Sequence, residues 1–278
     1  MMFPYARAVV TAQKLDARLI EPHWWRPRLG PYLRRERDKR RYDLLTAGPP
    51  LGQLAQDRLT IATSRLLDEE LRELRSARWR GCRSTIIVKG MGRLFGPIWD
   101  DRAVVLREFE RVFAPALSVG IPTPGTYYAV HVRLGDFVRR ETSAATPNGR
   151  NMTTPLSWFM AAIRNLQERS PGLPVVICSD GTDDELQSIL RIRGVERARS
   201  ANAIADLWTL AGAKTLVGSG STFTAWASFL SKTPTLLQPG TNHYLPGAPW
   251  VCEAETPALR TGASQEIPSE KHPVEARN

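Results

Sequence analysis

The chain has 278 residues, of which 42% are hydrophobic and 24% charged, a balance that excludes a wholly disordered protein. No apolar run approaches the roughly 18 residues of a membrane helix, and Met1-Met2-Phe3-Pro4 lacks the basic-then-apolar layout of a signal peptide, so the sequence reads as neither secreted nor membrane-spanning. A formal net charge of +10 points to an anionic partner: a polyanion, a phosphorylated small molecule or an anionic membrane surface.

Residues 3–15 read as a helix and residues 18–21 as a short strand ending before Pro22. The stretch through Pro50 is rich in Arg, Trp and Pro. It holds the densest basic run, 34–41, either a solvated face or a contact for an acceptor or a membrane surface. Leu67, Leu71 and Leu74, at i, i+4 and i+7, predict a helix over 56–79. Ile86-Ile87-Val88 is a short buried strand. Val105, Phe109, Val112 and Phe113 mark an amphipathic helix with Asp100 or Asp101 as N-cap. The proline and glycine punctuation over 115–125 marks a domain boundary.

Beyond it, residues 127–133 form a strand, and Thr154-Pro155 caps a helix with Leu156, Phe159, Met160, Ile163 and Leu166 on one face. Val175 to Cys178 is apolar throughout, as in a strand buried on both sides. Helices are expected over 183–190, from an Asn202 cap onward, and over 222–230, with strands at Leu216-Val217 and 235–237. This alternation is that of an α/β fold with a parallel sheet. The domains are 1–122, 123–258 and a loose tail over 259–278.

In such a sheet, ligands bind beyond the carboxyl ends of the strands. Three segments lie there. In His131-Val132-Arg133-Leu134-Gly135-Asp136, period 2 sends His131 and Arg133 to one face. Either Arg133 grips a diphosphate, or it pairs with Asp136 while His131 is satisfied in the core. In Gly218-Ser219-Gly220-Ser221-Thr222-Phe223, Ser221 and Thr222 open a helix whose free N–H groups favour an anion; the alternative is plain N-capping. No Lys-Ser/Thr pair follows, so this is not a Walker A loop. Asp180, after the Val175–Cys178 strand, either accepts from a nucleoside or caps the next helix, and Asp206 lies on the helix before Leu216. The cysteines (Cys82, Cys178, Cys252) and histidines (His23, His131, His243, His272) are scattered, without metal-ligand or disulfide spacing.

The order of these segments is more specific than any one of them. A strand ending in H-x-R-x-G-D precedes a strand ending in S-D, then D-L-x-x-L, then a strand and S-T-F. This resembles the fucosyltransferase superfamily that uses GDP-fucose, above all the bacterial α-1,2-fucosyltransferases of glycosyltransferase family 11. The likeness covers 127–237 well and 2–21 fairly. It implies a GT-B-like fold of two Rossmann-like domains with the donor on the C-terminal one. It also implies an inverting transfer of fucose to a sugar hydroxyl, with no metal and no cofactor beyond the donor substrate. By position, Arg133 would bind the β-phosphate and stabilise leaving GDP, with His131 and Asp136 lining the same site. Ser221, Thr222 and Phe223 would hold the diphosphate and nucleoside, Asp206 would sit near the guanosine, and Asp180 at the pocket edge. Candidate bases for the acceptor hydroxyl are Asp136 and Glu141.

The chain departs from the family in two places. Leu134 stands where the bacterial enzymes usually carry a second Arg, and the sequence begins inside the family's first helix, without the first strand and Gly-rich loop. The N-terminal domain therefore reads as incomplete, from a late start or a truncated gene, with poor solubility or low activity expected. The partners implied are a nucleotide-sugar donor and a glycan or lipid-linked acceptor. The expected location is cytoplasmic, with peripheral contact at the inner face of the membrane. The rival readings are another nucleotide-sugar donor, an inactive relative and, from charge alone, a nucleic-acid-binding protein; no nucleic-acid recognition motif supports the last.

Overall fold

A computed structural model describes residues 2–21, 51–68, 84–117, 120–135, 154–200 and 202–254. The basic run 34–41, Asp136, Glu141 and the tail 259–278 lie outside the described residues.

Helix α1 is Met2–Lys14, with Phe3, Tyr5, Ala6, Val9 and Val10 buried. The expected strand at 18–21 is irregular chain. Asp16 takes a left-handed φ of 49° at the end of α1, and Arg18 is held by an ion pair with Asp57. Among the described residues no strand lies alongside to pair with this segment.

The helix expected over 56–79 is also corrected. Helix α2 spans Leu51–Thr63, and the chain then enters strand β1, Arg65–Asp68, beside β2, Ser84–Ile87. The two pair in parallel, with Leu67 opposite Ile86. Leu67 is buried in this pair. Its helical spacing to Leu71 and Leu74 is outweighed by a partner strand that satisfies its backbone groups. Residues 69–83 lie outside the described residues.

A short 3₁₀ turn, Gly96–Ile98, leads into α3, Arg102–Phe113. Asp101 is the N-cap residue, but its side chain makes no capping bond; it accepts from Lys14 Nζ at 2.6 Å instead.

The large sheet follows. Strands β3 (Tyr128–Val132), β4 (Val175–Ser179), β5 (Val195–Arg197), β6 (Thr215–Gly218), β7 (Thr235–Leu237) and β8 (Val251–Glu253) lie in the order β5-β4-β3-β6-β7-β8, and every pairing is parallel. The expected α/β class with a parallel sheet holds. Strands β5 and β8 are additions: each has three residues and neither is fully buried, too short and too mixed to leave a periodic signal.

The connecting helices are α4 (Leu156–Arg169), α5 (Asp183–Leu190), α6 (Ala203–Ala211) and α7 (Thr222–Ser231). Helices α4 and α5 cover one face of the sheet, packing on Tyr128, Val130, Val132, Val175, Ile177 and Val217. Helices α6 and α7 cover the other, over Ala129, Val176, Cys178 and Leu216. Pro155, not Thr154, is the residue at the N-cap of α4; the buried Thr154 hydroxyl has no hydrogen-bond partner among the described residues.

Helix α7 is buried almost all round, because α1, α3 and the 3₁₀ turn pack on its outer side. The Phe95 ring lies 4.9 Å from Phe3 and 4.8 Å from Trp226, and Phe109 lies 5.3 Å from Trp226. One apolar core therefore runs from the sheet through α7 to α1 and α3. We expect Trp226→Ala to destabilise the protein by about 3–5 kcal/mol, the range for removing a large buried aromatic. Urea denaturation followed by circular dichroism measures this, and an unchanged midpoint would show that the aromatic cluster is not the core described.

Candidate functional site

The chain runs from β3 outward through β4 to β5, then returns to lay β6 on the other edge of β3. The order reverses between β3 and β6, and the carboxyl ends of strands at such a point open a crevice between oppositely directed connections. The residues at those two ends are His131-Val132-Arg133 and Gly218-Ser219-Gly220-Ser221.

Ser219 ties the two ends together. It is buried; its hydroxyl donates to the His131 carbonyl at 3.1 Å and accepts from the Arg133 N–H at 2.9 Å. Its own N–H also donates to the His131 carbonyl, at 3.0 Å. The strand exits are thus fixed relative to one another, and Arg133 leaves β3 in a defined direction. Sequence reasoning passed over Ser219 because a lone serine in a Gly-rich turn looks like loop filler; its position one residue past a buried strand was the available signal.

The Arg133 guanidinium is partly buried, and its Nη1 donates to Asp180 Oδ2 at 2.7 Å. Asp180 does not cap the next helix. Thr182 does, in a reciprocal capping box with Glu185. The Asp180 carboxylate instead accepts from the N–H groups of Leu134 at 2.8 Å and Gly135 at 3.1 Å. It therefore grips the turn after β3 as well as the arginine. Among the described residues Arg133 pairs with Asp180; the pair weighed with Asp136 lies outside the described residues. Leu134 packs on the α4/α5 face of the core.

His131 points the other way, under the first turn of α7. It is buried, with Nδ1 at 2.7 Å from Thr224 Oγ1 and 3.4 Å from Ser221 Oγ. Burial pulls its pKa down to about 4; Arg133 adds to that shift and Asp180 opposes it. The imidazole is neutral at physiological pH and serves as a hydrogen-bonding brace.

Ser221 caps α7, its hydroxyl accepting from the Thr224 N–H at 3.2 Å. Thr222 and Phe223 are the first helical residues, the positions whose N–H groups have no partner within a helix. The Phe223 ring lies 5.1 Å from His131. Close backbone approach is built in at two glycines. A Cβ at Gly218 would overlap the Thr224 side chain, and one at Gly220 would lie 2.6 Å from the Thr241 carbonyl oxygen. The loop carrying Thr241 is anchored by Glu253 on β8, whose carboxylate accepts from the N–H groups of Thr241 and Asn242 at 3.0 and 2.9 Å.

Among the predicted residues, His131, Arg133, Asp180, Ser221, Thr222 and Phe223 thus gather where β3, β4 and β6 end. Asp206 lies in the first turn of α6, where its carboxylate accepts from Ser200 and its carbonyl faces the Cys178 thiol at 3.9 Å. Among the described residues no group of three or more His, Cys, Asp or Glu is placed to hold a metal ion, and no helix is long and apolar enough to cross a membrane.

Against family profiles, residues 103–243 match Glycosyl transferase family 11. No curated protein matches the sequence. Solved structures give distant likenesses. A fucosyltransferase NodZ from Bradyrhizobium is 14% identical, with a TM-score of 0.43 over 82% of this chain and 88% of that one. A NodZ α-1,6-fucosyltransferase soaked with GDP-fucose is 16% identical, with a TM-score of 0.37 over 70% of this chain and 64% of that one. One co-crystallised with GDP is 15% identical, with a TM-score of 0.33 over 71% and 64%. The chain thus spans 64% of the length of two of these three.

The buried His131 sets a pH dependence. Unfolded, it titrates near 6.5; folded, near 4. Between those values the unfolded chain binds a proton that the folded one does not. This contribution is full above about pH 6.5 and is lost as pH falls toward 4, amounting to about 3 kcal/mol. Unfolding free energies measured across that window should fall with acidity more steeply in the wild type than in His131→Gln. Equal slopes would mean that the imidazole is not buried as described. We also expect Gly220→Ala to cost about 1–3 kcal/mol through overpacking against Thr241, measured by thermal melting.

Proposed function

The chain belongs to glycosyl transferase family 11, and from that premise we propose that it transfers fucose from GDP-fucose to a sugar hydroxyl of a glycan, with inversion and without a metal. The observation that carries the reading is that Arg133 and the N-terminus of α7 follow the ends of two paired strands, β3 and β6, where the sheet order reverses, with the Arg133 N–H held by Ser219 Oγ. We take residues 123–258 as the donor-binding domain, and residues 1–122 as the acceptor side of a GT-B-like pair.

In this reading the diphosphate lies over the β3 and β6 ends. The Thr222 and Phe223 N–H groups and the helix dipole favour one phosphate. The Arg133 guanidinium stabilises the β-phosphate as negative charge grows on it. The bond between the fucose C1 and the β-phosphate oxygen breaks with its electron pair going to GDP. The acceptor oxygen forms the new bond to C1 from the opposite side and gives up its proton to a base. Asp180 aims Arg133, and His131, through Thr224 and Ser221, holds the first turn of α7. Asp206 is assigned to the nucleoside end. Asp136, also expected to line the site, and Glu141 lie outside the described residues. The net charge of +10 suits an acceptor carried near an anionic lipid surface.

Calorimetric titration with GDP, UDP and ADP in EDTA tests the donor. We expect GDP to bind best. Arg133→Ala should weaken it at least about tenfold, the scale of losing a charge-assisted bond to phosphate. Transfer from GDP-fucose to an acceptor panel should then fall in the same variant. A preference for UDP would replace GDP-fucose by another nucleotide sugar. Binding of none of the three would overturn the donor-site reading.

A further inference from the structure

We propose that Arg197, on the short strand β5, is a positioning residue for the donor site that acts through Asp180; the proposal rests on the reading of Arg133 as the diphosphate ligand. Nη2 of Arg197 donates to the Ser179 carbonyl at 3.1 Å and to the Gly181 carbonyl at 2.7 Å. These residues flank Asp180 on either side. Arg197 therefore clasps the backbone of the turn that presents the carboxylate, without touching the carboxylate itself. Asp180 passes this constraint across the sheet to the Leu134 and Gly135 N–H groups and to Arg133 Nη1. The ends of β5, β4 and β3 are linked in one relay, and Ser219 holds β3 from the β6 side.

Two alternative purposes for Arg197 are weaker. Its Nη1 also pairs with Asp183, but Asp183 is 75% exposed, and ion pairs of that kind add little. Helix α5 does not need Arg197 for its start, because Thr182 and Glu185 already cap it. What remains is one amino group, Nη2, spanning two carbonyls. The guanidinium plane fixes the directions of its two N–H bonds, which a freely rotating lysine ammonium does not. The turn itself has further bonds of its own, Ser179 Oγ donating to the Val132 carbonyl at 2.6 Å and accepting from the Gly181 N–H at 3.0 Å. Loss of Arg197 should therefore loosen the aim of Asp180 without dismantling the turn.

The test is GDP affinity by calorimetry in wild type, Arg197→Ala, Arg197→Lys, Asp180→Ala and the double variant Arg197→Ala/Asp180→Ala, with a thermal melt on each. We expect Arg197→Ala to weaken GDP binding about tenfold, and Arg197→Lys to weaken it less. Beside Asp180→Ala, removing Arg197 should change GDP affinity no further, since its effect travels through that carboxylate. A merely structural residue would lower the melting temperature in both backgrounds without this dependence. If Arg197→Ala fails to fold, Arg197→Lys beside Asp180→Ala supplies the same cycle. Unaltered GDP binding in the Arg197 variants, or an equal loss in the two backgrounds, overturns the inference. Failure of the wild type to bind GDP overturns the donor-site reading and the inference with it.

Discussion

Strand β3 pairs with β4 along one edge and with β6 along the other, and the chain reverses its direction of travel across the sheet between them. The β3–β6 pairing brings together two chain segments far apart in sequence, and its carboxyl end leads to Arg133 on one strand and to the α7 N-terminus on the other. Backbone pairing fixes the strands only up to their last residues. Past that point one buried hydroxyl, Ser219 Oγ on the β6 exit, both donates to and accepts from the β3 exit, at the His131 carbonyl and the Arg133 N–H. A buried hydroxyl that uses both its capacities on backbone partners is costly to replace, since both bonds are lost together. The arginine's direction is thus fixed by hydrogen bonds that precede its own side chain.

The site divides its labour by face. On the α7 side, His131, Thr224 and Ser221 form a closed neutral cluster, dry enough to keep the imidazole uncharged. On the solvent side, Arg133 and Asp180 carry opposite charges and remain partly exposed. His131 and Arg133 lie close together at one strand end, yet one is absorbed into the support of a helix and the other pairs with Asp180 at the surface. What separates them is distance from the strand end: His131 is still under α7, and Arg133 is past it.

The sequence made the central strands and α5, α6 and α7 legible because burial leaves a strong pattern. Val175 to Cys178 is apolar without a break, and Asn202 and Ser221 sit where the caps are. Asp180 was legible as a strand-end carboxylate, but its partners were not. A carboxylate two residues before a threonine gives no local sign that it reaches across to Leu134, Gly135 and Arg133. The edge strands β5 and β8 were hidden for a related reason. Three-residue strands at a sheet margin owe their existence to a neighbour's open hydrogen bonds, not to their own residue pattern. Leu67 shows the converse, a helical period overridden by Ile86 arriving alongside.

Helix α7 has its N-terminus at the candidate site and an aromatic flank against Phe3, Phe95 and Phe109. Phe3 is made long before Trp226, which it packs beside and which emerges only after β6. Helix α1 can meet α3 and the 3₁₀ turn, through Phe95 and Phe109, before the large sheet is made. Closure of that layer over α7 is a later step with a long loop to close. The unit that folds is consequently larger than the candidate site, and the residues that complete its core are made far apart in time.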